Sequence, residues 1–185
     1  MNIDKEKVEK SVKMFLEAIG EDPNREGLLE TPKRVAKMTD ELFRGYGEAE
    51  DNIVKTFNFN GKENQIIVEK DIPFYSVCEH HILPFFGKIS VAYIPNKKIF
   101  GLSKIPRICD YLSRKLQLQE NLTKEIVDYI EKEISPKGVY VTISAKHMCI
   151  AMRGIQAREA ITKTSLHTGL FDKYEIRKEA DNLLK

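Results

Sequence analysis

At Ile66 the spacing of the apolar residues falls from about four to two, and that change limits the folds open to this chain. Upstream, Val8, Val12, Phe15, Leu16 and Ile19 share one helical face, with Asp4 as N-cap and Gly20 as the stop. A second helix is expected from Thr31-Pro32, where Thr caps and Pro takes the first turn, through Val35, Met38 and Leu42 to Gly45. Asn24-Arg25-Glu26-Gly27 is a turn between them. Downstream, Ile66-Ile67-Val68 reads as a strand, and from Phe86 to Ile94 the residues Ile89, Val91 and Tyr93 alternate with Ser90 and Ala92. Pro95-Asn96-Lys97-Lys98 is a reverse turn. Two helices follow, one through Ile105, Ile108, Leu112 and Leu116, the other through Leu122, Ile126, Ile130 and Ile134, ended by Pro136 and Gly138. Val139, Val141 and Ile143 then alternate, Ile150 to Ala157 and Ile161 to Ser165 are expected to be extended, and Asp172 with Glu175 forms a capping box for a last helix. Strands on either side of a helix pair point to an α+β domain with an antiparallel sheet. With no repeat, low-complexity stretch or linker, residues 1–185 read as a single domain: a helical region over 1–47, a core over 65–171 and a helix over 172–185.

Across the helix pair from each other lie two clusters, Cys78-Glu79-His80-His81 and His147-Met148-Cys149, which together hold two of the three Cys and three of the four His residues. A free Cys is usually a small buried hydrophobe and a lone His a satisfied surface or core residue. Together, however, they have the spacing of a chelate, since zinc takes thiolate and imidazole ligands and a catalytic zinc keeps one position open beside three protein ligands. Cys78, one of the two adjacent histidines and Cys149 would make three. A structural zinc would want a fourth ligand in a regular pattern, such as a second Cys-x-x-Cys, and the sequence offers none. Three cysteines cannot all pair, so metal-bound thiols in a reducing compartment explain them better than disulfides. Cys109, among Ile105, Ile108 and Leu112, reads as core.

The balance of 42% apolar to 31% charged residues is that of a soluble globular protein. The start MNIDKEKVEKSV carries charges throughout, and no signal peptide or transmembrane span can be drawn, so the expectation is a cytoplasmic protein with no membrane partner. A net charge of +2 is too small to imply a nucleic-acid partner. Any anion site must therefore arise from local placement. Two helix starts supply it: Lys33 and Arg34 follow Thr31-Pro32, and Lys104 and Arg107 follow Ser103, the expected N-cap of its helix. Basic residues there oppose the helix dipole by about 0.3 to 1 kcal/mol each unless an anion sits among them. One such start is explained by side chains turned to solvent. Two of them, with Arg153 four residues after Cys149, are better explained by a bound polyanion, gripped by side chains and helix starts because no Gly-rich phosphate loop exists. Gln119-Glu120 is expected in the polar connection between the two middle helices, where a carboxylate is normally solvated but also matches the paired N–H donors of a guanine edge.

The runs Arg25-Glu26-Gly27-Leu28-Leu29-Glu30-Thr31-Pro32-Lys33-Arg34-Val35-Ala36-Lys37-Met38, Cys78-Glu79-His80-His81, Gly101-Leu102-Ser103-Lys104, Gln119-Glu120, His147-Met148-Cys149 and Met152-Arg153-Gly154 together resemble the GTP cyclohydrolase I family, in order from Arg25 to Phe171. Two departures stand out: Asn121, where an Arg often follows the Gln-Glu pair, and His167, where many members have an apolar residue and which is taken here as a surface or packing residue. The resemblance implies a tunnelling fold and conversion of GTP and water to 7,8-dihydroneopterin triphosphate and formate, the first step of folate and pterin biosynthesis. It implies Zn2+ on Cys78, His81 and Cys149, with His147 as the main proton donor and His80 and Ser103 in later proton handling. Glu120 and Gln119 would read the guanine edge, while Arg34, Lys104, Arg107 and Arg153 hold the triphosphate. It also implies a homodecamer of two stacked pentamers with sites between subunits. Two alternatives remain at this point: a zinc-containing module that binds a nucleotide without turning it over, and another enzyme of the same fold, such as a pterin synthase or a deazaguanine reductase.

Overall fold

The protein is described by a computed structural model over residues 3–47, 53–62 and 64–185, in two compact units, Met1–Glu48 and Ala49–Lys185. In the first unit, α1 (Lys5–Ala18) starts where Asp4 accepts the Lys7 backbone N–H at 3.0 Å, and it stops before Gly20, whose φ of 87° continues no right-handed helix. Of its expected apolar face only Leu16 is buried; Phe15 and Ile19 are 62% and 58% exposed. The second helix, α2 (Thr31–Leu42), takes Thr31 as its first residue and not as its cap, with Glu30 in the cap position and Pro32 in the first turn. It ends at Leu42, short of the expected Gly45, and a 3-10 turn runs over Arg44–Tyr46.

The second unit opens with β1 (Thr56–Asn58), followed by β2 (Ile67–Cys78), β3 (Pro84–Ile94) and β4 (Lys98–Phe100). Then come α3 (Lys104–Ser113), β5 (Leu116–Gln117), α4 (Gln119–Ile134), β6 (Gly138–His147), the one-turn α5 (Met148–Ala151), β7 (Thr162–His167) and α6 (Tyr174–Leu184). Five strands form one sheet in the order β5-β2-β3-β6-β7, antiparallel except for the short parallel pairing of β5 with β2; β1 and β4 form a separate antiparallel pair. The α+β class expected from the apolar spacing is the class observed.

Ile105, Ile108 and Leu112 of α3 and Leu122, Ile126, Ile130 and Ile134 of α4 share one core with Phe74, Phe85, Ile89, Val91, Tyr93, Val139, Val141 and Ile143 of the sheet. Each fully buried aliphatic side chain there contributes about 1.5 to 3 kcal/mol of transfer free energy. Cys109 lies in the same core and is fully buried, as its helical spacing predicts, and burial pushes its thiol far up. A smaller cluster of Ala92, Ile94, Tyr140, Phe171 and Ala180 brings α6 and the 3-10 turn Gly169–Asp172 onto the alternate residues of β3 and β6.

Four expectations about local structure need correction. Strand β2 runs far beyond Val68, because a bulge between Glu69 and Ile72, with Asp71 at φ 60°, breaks the alternation on which the shorter reading rested. Leu116 leaves the α3 helix to pair with Val77. Residues 150–157 form no strand: positive φ at Gly154 and Gln156 turns the chain back so that the Ala157 N–H reaches the Ile150 carbonyl at 2.9 Å. Asp172 does not cap α6, since its carboxylate is engaged with His167 Nδ1 at 3.0 Å.

Candidate functional site

The hairpin joining β2 to β3 sets the first half of the site. Cys78 ends β2, its N–H bonded to the Leu83 carbonyl at 2.8 Å and its carbonyl to the Ile82 N–H at 2.9 Å, so Glu79 to Ile82 form a closed turn with Ile82 at φ 54°. The Glu79 N–H donates to the Gln117 carbonyl at 3.1 Å, which ties the turn to β5. The other half comes from β6. Its last residue, His147, pairs with Phe85, and Phe85 pairs in turn with Ser76, so the ends of β2 and β6 lie at the same end of the sheet on either side of β3. The chain turns there into α5, whose second residue is Cys149.

This arrangement brings Cys78, His81 and Cys149 together, with one ligand atom from each and all three within 4.8 Å of one another. Both thiols are buried while His81 is exposed, so the group has a closed sulfur side and an open imidazole side. Burial first, and the neighbouring Cys78 second, push the Cys149 thiol up. Two soft donors and an imidazole at this separation suit a zinc ion, whose charge would offset what burial opposes. The Arg153 guanidinium donates to His81 Nε2 at 3.1 Å, so one of the expected phosphate-binding cations lies beside the three ligands. His80 turns away: its side chain is 63% exposed, and its ring meets that of His81 edge to face at 6.2 Å.

The His147 side chain is held by two contacts. Its ring stacks on Phe85 with centroids 4.6 Å apart and planes 6° apart, and its Nε2 lies 2.7 Å from Gln119 Oε1. Burial holds its pKa below the ordinary imidazole value, while the Glu120 charge acts in the opposite direction. Gln119 and Glu120 are not in a solvated connection. They open the first turn of α4, with Gln119 1% exposed and Glu120 exposed. There the Glu120 carboxylate favours the helix dipole. It borders a cavity of about 480 Å³ shared with Thr123, Lys124, Thr164, Ser165 and Leu166.

The remaining expected residues belong to other elements. Ser103, Lys104 and Arg107 sit at the start of α3, where Ser103 makes no side-chain cap and both Ser103 and Arg107 are exposed. Arg34 is exposed on α2 of the N-terminal unit. His167, half-buried, bonds Asp172 and meets the Tyr140 ring edge to face at 6.1 Å, a packing role as expected. Three residues escaped the sequence reading: Phe85, Thr123 and Thr164, which hold His147 and Gln119. Only the position of Phe85 at the start of an alternating strand hinted that it faces the same way as Ile89. Chemically, the assembled group can hold a metal ion at the mouth of an exposed turn, with a restrained imidazole one strand away and a carboxylate on the adjoining helix start.

The model of the family described as GTP cyclohydrolase I matches residues 8–185. A GTP cyclohydrolase 1 of Sulfurihydrogenibium sp. (strain YO3AOP1) is 54% identical over 185 residues, which cover 100% of this chain and 97% of the relative. One of Aquifex aeolicus (strain VF5) is 50% identical over 186 residues, 100% of this chain and 99% of that protein. A bifunctional protein FolKE of Lactococcus lactis subsp. lactis (strain IL1403) is 53% identical over 167 residues, 89% of this chain but 48% of that longer protein. Among solved structures, that of the archaeosine synthase QueF-Like in the apo form overlays with a TM-score of 0.46 at 19% identity, over 58% of this chain and 97% of that one, a likeness too slight to build on.

Proposed function

The chain belongs to the GTP cyclohydrolase I family, so it is an enzyme that hydrolyses GTP, and we propose that Cys78, His81 and Cys149 hold its metal as Zn2+ beside His147. The observation that carries this reading is the meeting of three ligand atoms within 4.8 Å at the sheet end where β6 delivers His147. When bound, zinc supplies a Lewis acid that activates water for attack on the purine. His147 gives a proton to the imidazole nitrogen of the purine as that ring opens and takes one back as formate leaves, with Phe85 limiting the swing of its ring. His80 and Ser103 handle protons in the later rearrangement of the ribose. Glu120 accepts from the guanine edge, and a charged acceptor there is selective because no other purine presents the same paired donors.

Arg153, Lys104, Arg107 and Arg34 bind the triphosphate. Arg153 is joined to the metal group through His81. The other three stand on helices α2 and α3, and the site is proposed to be completed between copies of the chain, in a homodecamer of two stacked pentamers. Also in favour of such an assembly are Ile82, Leu102 and Ile155, 69%, 70% and 81% exposed, which lie within a few residues of His81, Ser103 and Arg153. A protein that is monomeric by light scattering and keeps full turnover would exclude the shared site. No helix among the described residues is long and apolar enough to cross a membrane; a cytoplasmic location is part of the proposal.

The test is to measure formate and, after oxidation, neopterin fluorescence from GTP, with zinc content determined on the same sample. Metal-loaded protein that yields neither product would overturn the reading. Cys149→Ser should lower bound zinc to well under one ion per chain and abolish turnover, whereas His147→Ala should keep the zinc and lose about 10²-fold or more in kcat.

A further inference from the structure

The carboxamide of Gln119 can be oriented from its surroundings. Its nitrogen lies 3.2 Å from the Ile143 carbonyl oxygen, 3.2 Å from that of Thr162 and 3.1 Å from Thr164 Oγ1. Backbone carbonyls only accept, so the end of the amide that faces two of them must be the NH2. The hydroxyls agree. Thr123 Oγ1 donates its one proton to the main-chain carbonyl of Gln119 at 2.7 Å, and the contact between Thr123 and Thr164, also 2.7 Å, must then be donated by Thr164. Thr164 is left as an acceptor for the Gln119 amide, whose two protons are shared among the three acceptors, and the donors run in one direction from that amide through Thr164 and Thr123 back to the Gln119 main chain.

Gln119 Oε1 therefore faces His147, and an amide oxygen only accepts. The 2.7 Å contact requires the proton on His147 Nε2. Among the described residues Nδ1 has no hydrogen-bond partner, and one face of the ring is covered by Phe85. We infer that Gln119 is the positioning residue for His147: it fixes the Nε2–H tautomer, so that Nδ1 is the nitrogen that exchanges a proton with the purine. The guanine edge is then left to Glu120, since both ends of the Gln119 side chain are engaged. The inference rests on the reading of His147 as the proton carrier. It adds which atom does the work and what holds it.

The experiment compares zinc-loaded wild-type enzyme with Gln119→Met, which keeps the length and removes both donor and acceptor, and Thr164→Val, which keeps the His147 contact but breaks the cycle that steadies it. Expected for Gln119→Met is a fall of about 10²-fold in kcat with KM for GTP within about 3-fold of wild type and zinc content unchanged. Thr164→Val should lower kcat by about 3- to 10-fold with KM again unchanged. Solid-state NMR of the wild-type holoenzyme labelled with 15N-histidine should show His147 protonated at Nε2. Rescue toward wild-type kcat is not expected from Gln119→Asn, whose shorter arm cannot reach both the carbonyls and the imidazole. A raised KM with kcat unchanged in Gln119→Met would return the residue to guanine recognition and overturn the proposal, as would a His147 signal protonated at Nδ1 alone. If Gln119→Met does not fold, Thr164→Val and the wild-type spectrum decide. Unchanged turnover in His147→Ala would defeat the reading of His147 itself, a different failure from these.

Discussion

Gly87→Ala should damage this enzyme more than any other methyl added in the sheet, and the reason lies in backbone atoms alone. Gly87 of β3 pairs with Ala145 of β6. A Cβ at Gly87 would sit 2.0 Å from the Ser144 carbonyl oxygen, 2.7 Å from Ala145 Cα and 2.9 Å from the Ser144 carbonyl carbon. Ordinary carbon contacts lie at about 3.5 Å, and no side chain can rotate out of the way. The two strands must part by about 1 Å, which draws neighbouring ladder bonds out of range at a net cost of about 1 kcal/mol each and opens the core between them. Two lost bonds and the loosened packing amount to about 3 kcal/mol. With a urea m-value of about 2 kcal/mol/M, the unfolding midpoint should fall by about 1.5 M. Phe85 lies two residues from Gly87 and His147 two from Ala145, so the same displacement moves the stacked imidazole, and kcat should fall even where the fold survives.

The control is Gly20→Ala, at φ 87° with no atom within 4 Å of the added methyl, where the cost is conformational only, about 1 kcal/mol. Both variants are compared with wild type by circular dichroism in urea at one protein concentration, with GTP turnover measured alongside. A Gly87→Ala protein within 1 kcal/mol of wild type, or no less stable than Gly20→Ala, would show that β3 and β6 are not held this closely.

Two further outcomes follow from single side chains. Glu120→Gln keeps the shape of the α4 start but removes the charged acceptor proposed for the guanine edge. Steady-state kinetics should show kcat/KM for GTP lower by about 10- to 10²-fold with zinc content unchanged, and an unchanged kcat/KM would remove Glu120 from substrate recognition. Tyr140 donates to Asp181 at 2.9 Å, and burial first, then this bond and the Asp181 charge, push its hydroxyl up to about 12. A folded pKa above the unfolded value of about 10 means that the contribution is complete below pH 10 and is lost as pH rises toward 12, because only the unfolded chain ionises in that window. Wild type should therefore exceed Tyr140→Phe in urea stability by about 1 kcal/mol at pH 8, and the difference should fade to about zero by pH 11; a constant difference across that range would refute the coupling.

What the sequence disclosed about the site divides by the range of the forces involved. Cys78, His81 and Cys149 were legible as a group because few residue types suit a metal ion, and two short clusters of them on either side of a helix pair have the pattern of one shared site; only which of the adjacent histidines joins them needed the family or the fold. Helices α3 and α4 were legible from their apolar spacing, since burial of one face is a local pattern with a distant cause. Strand β2 was cut short because the bulge at Asp71 shifts which residues face inward, and a period of two cannot be followed across it. Gln119 was illegible for a different reason. In sequence it is a polar residue next to a carboxylate, and polar residues between helices are normally solvated. Its partners, Ile143, Thr162 and Thr164, lie on β6 and β7, and only their convergence turns a solvated amide into a buried one with its nitrogen and oxygen ends assigned. Direction is what such a network adds to composition. An imidazole near a metal group can carry protons on either nitrogen, and the residue types around His147 do not say which. Two carbonyls, of Ile143 on the same strand and of Thr162 on β7, make the choice, because they can only accept, and so the atom through which this histidine acts is decided by backbone groups that carry no proton themselves.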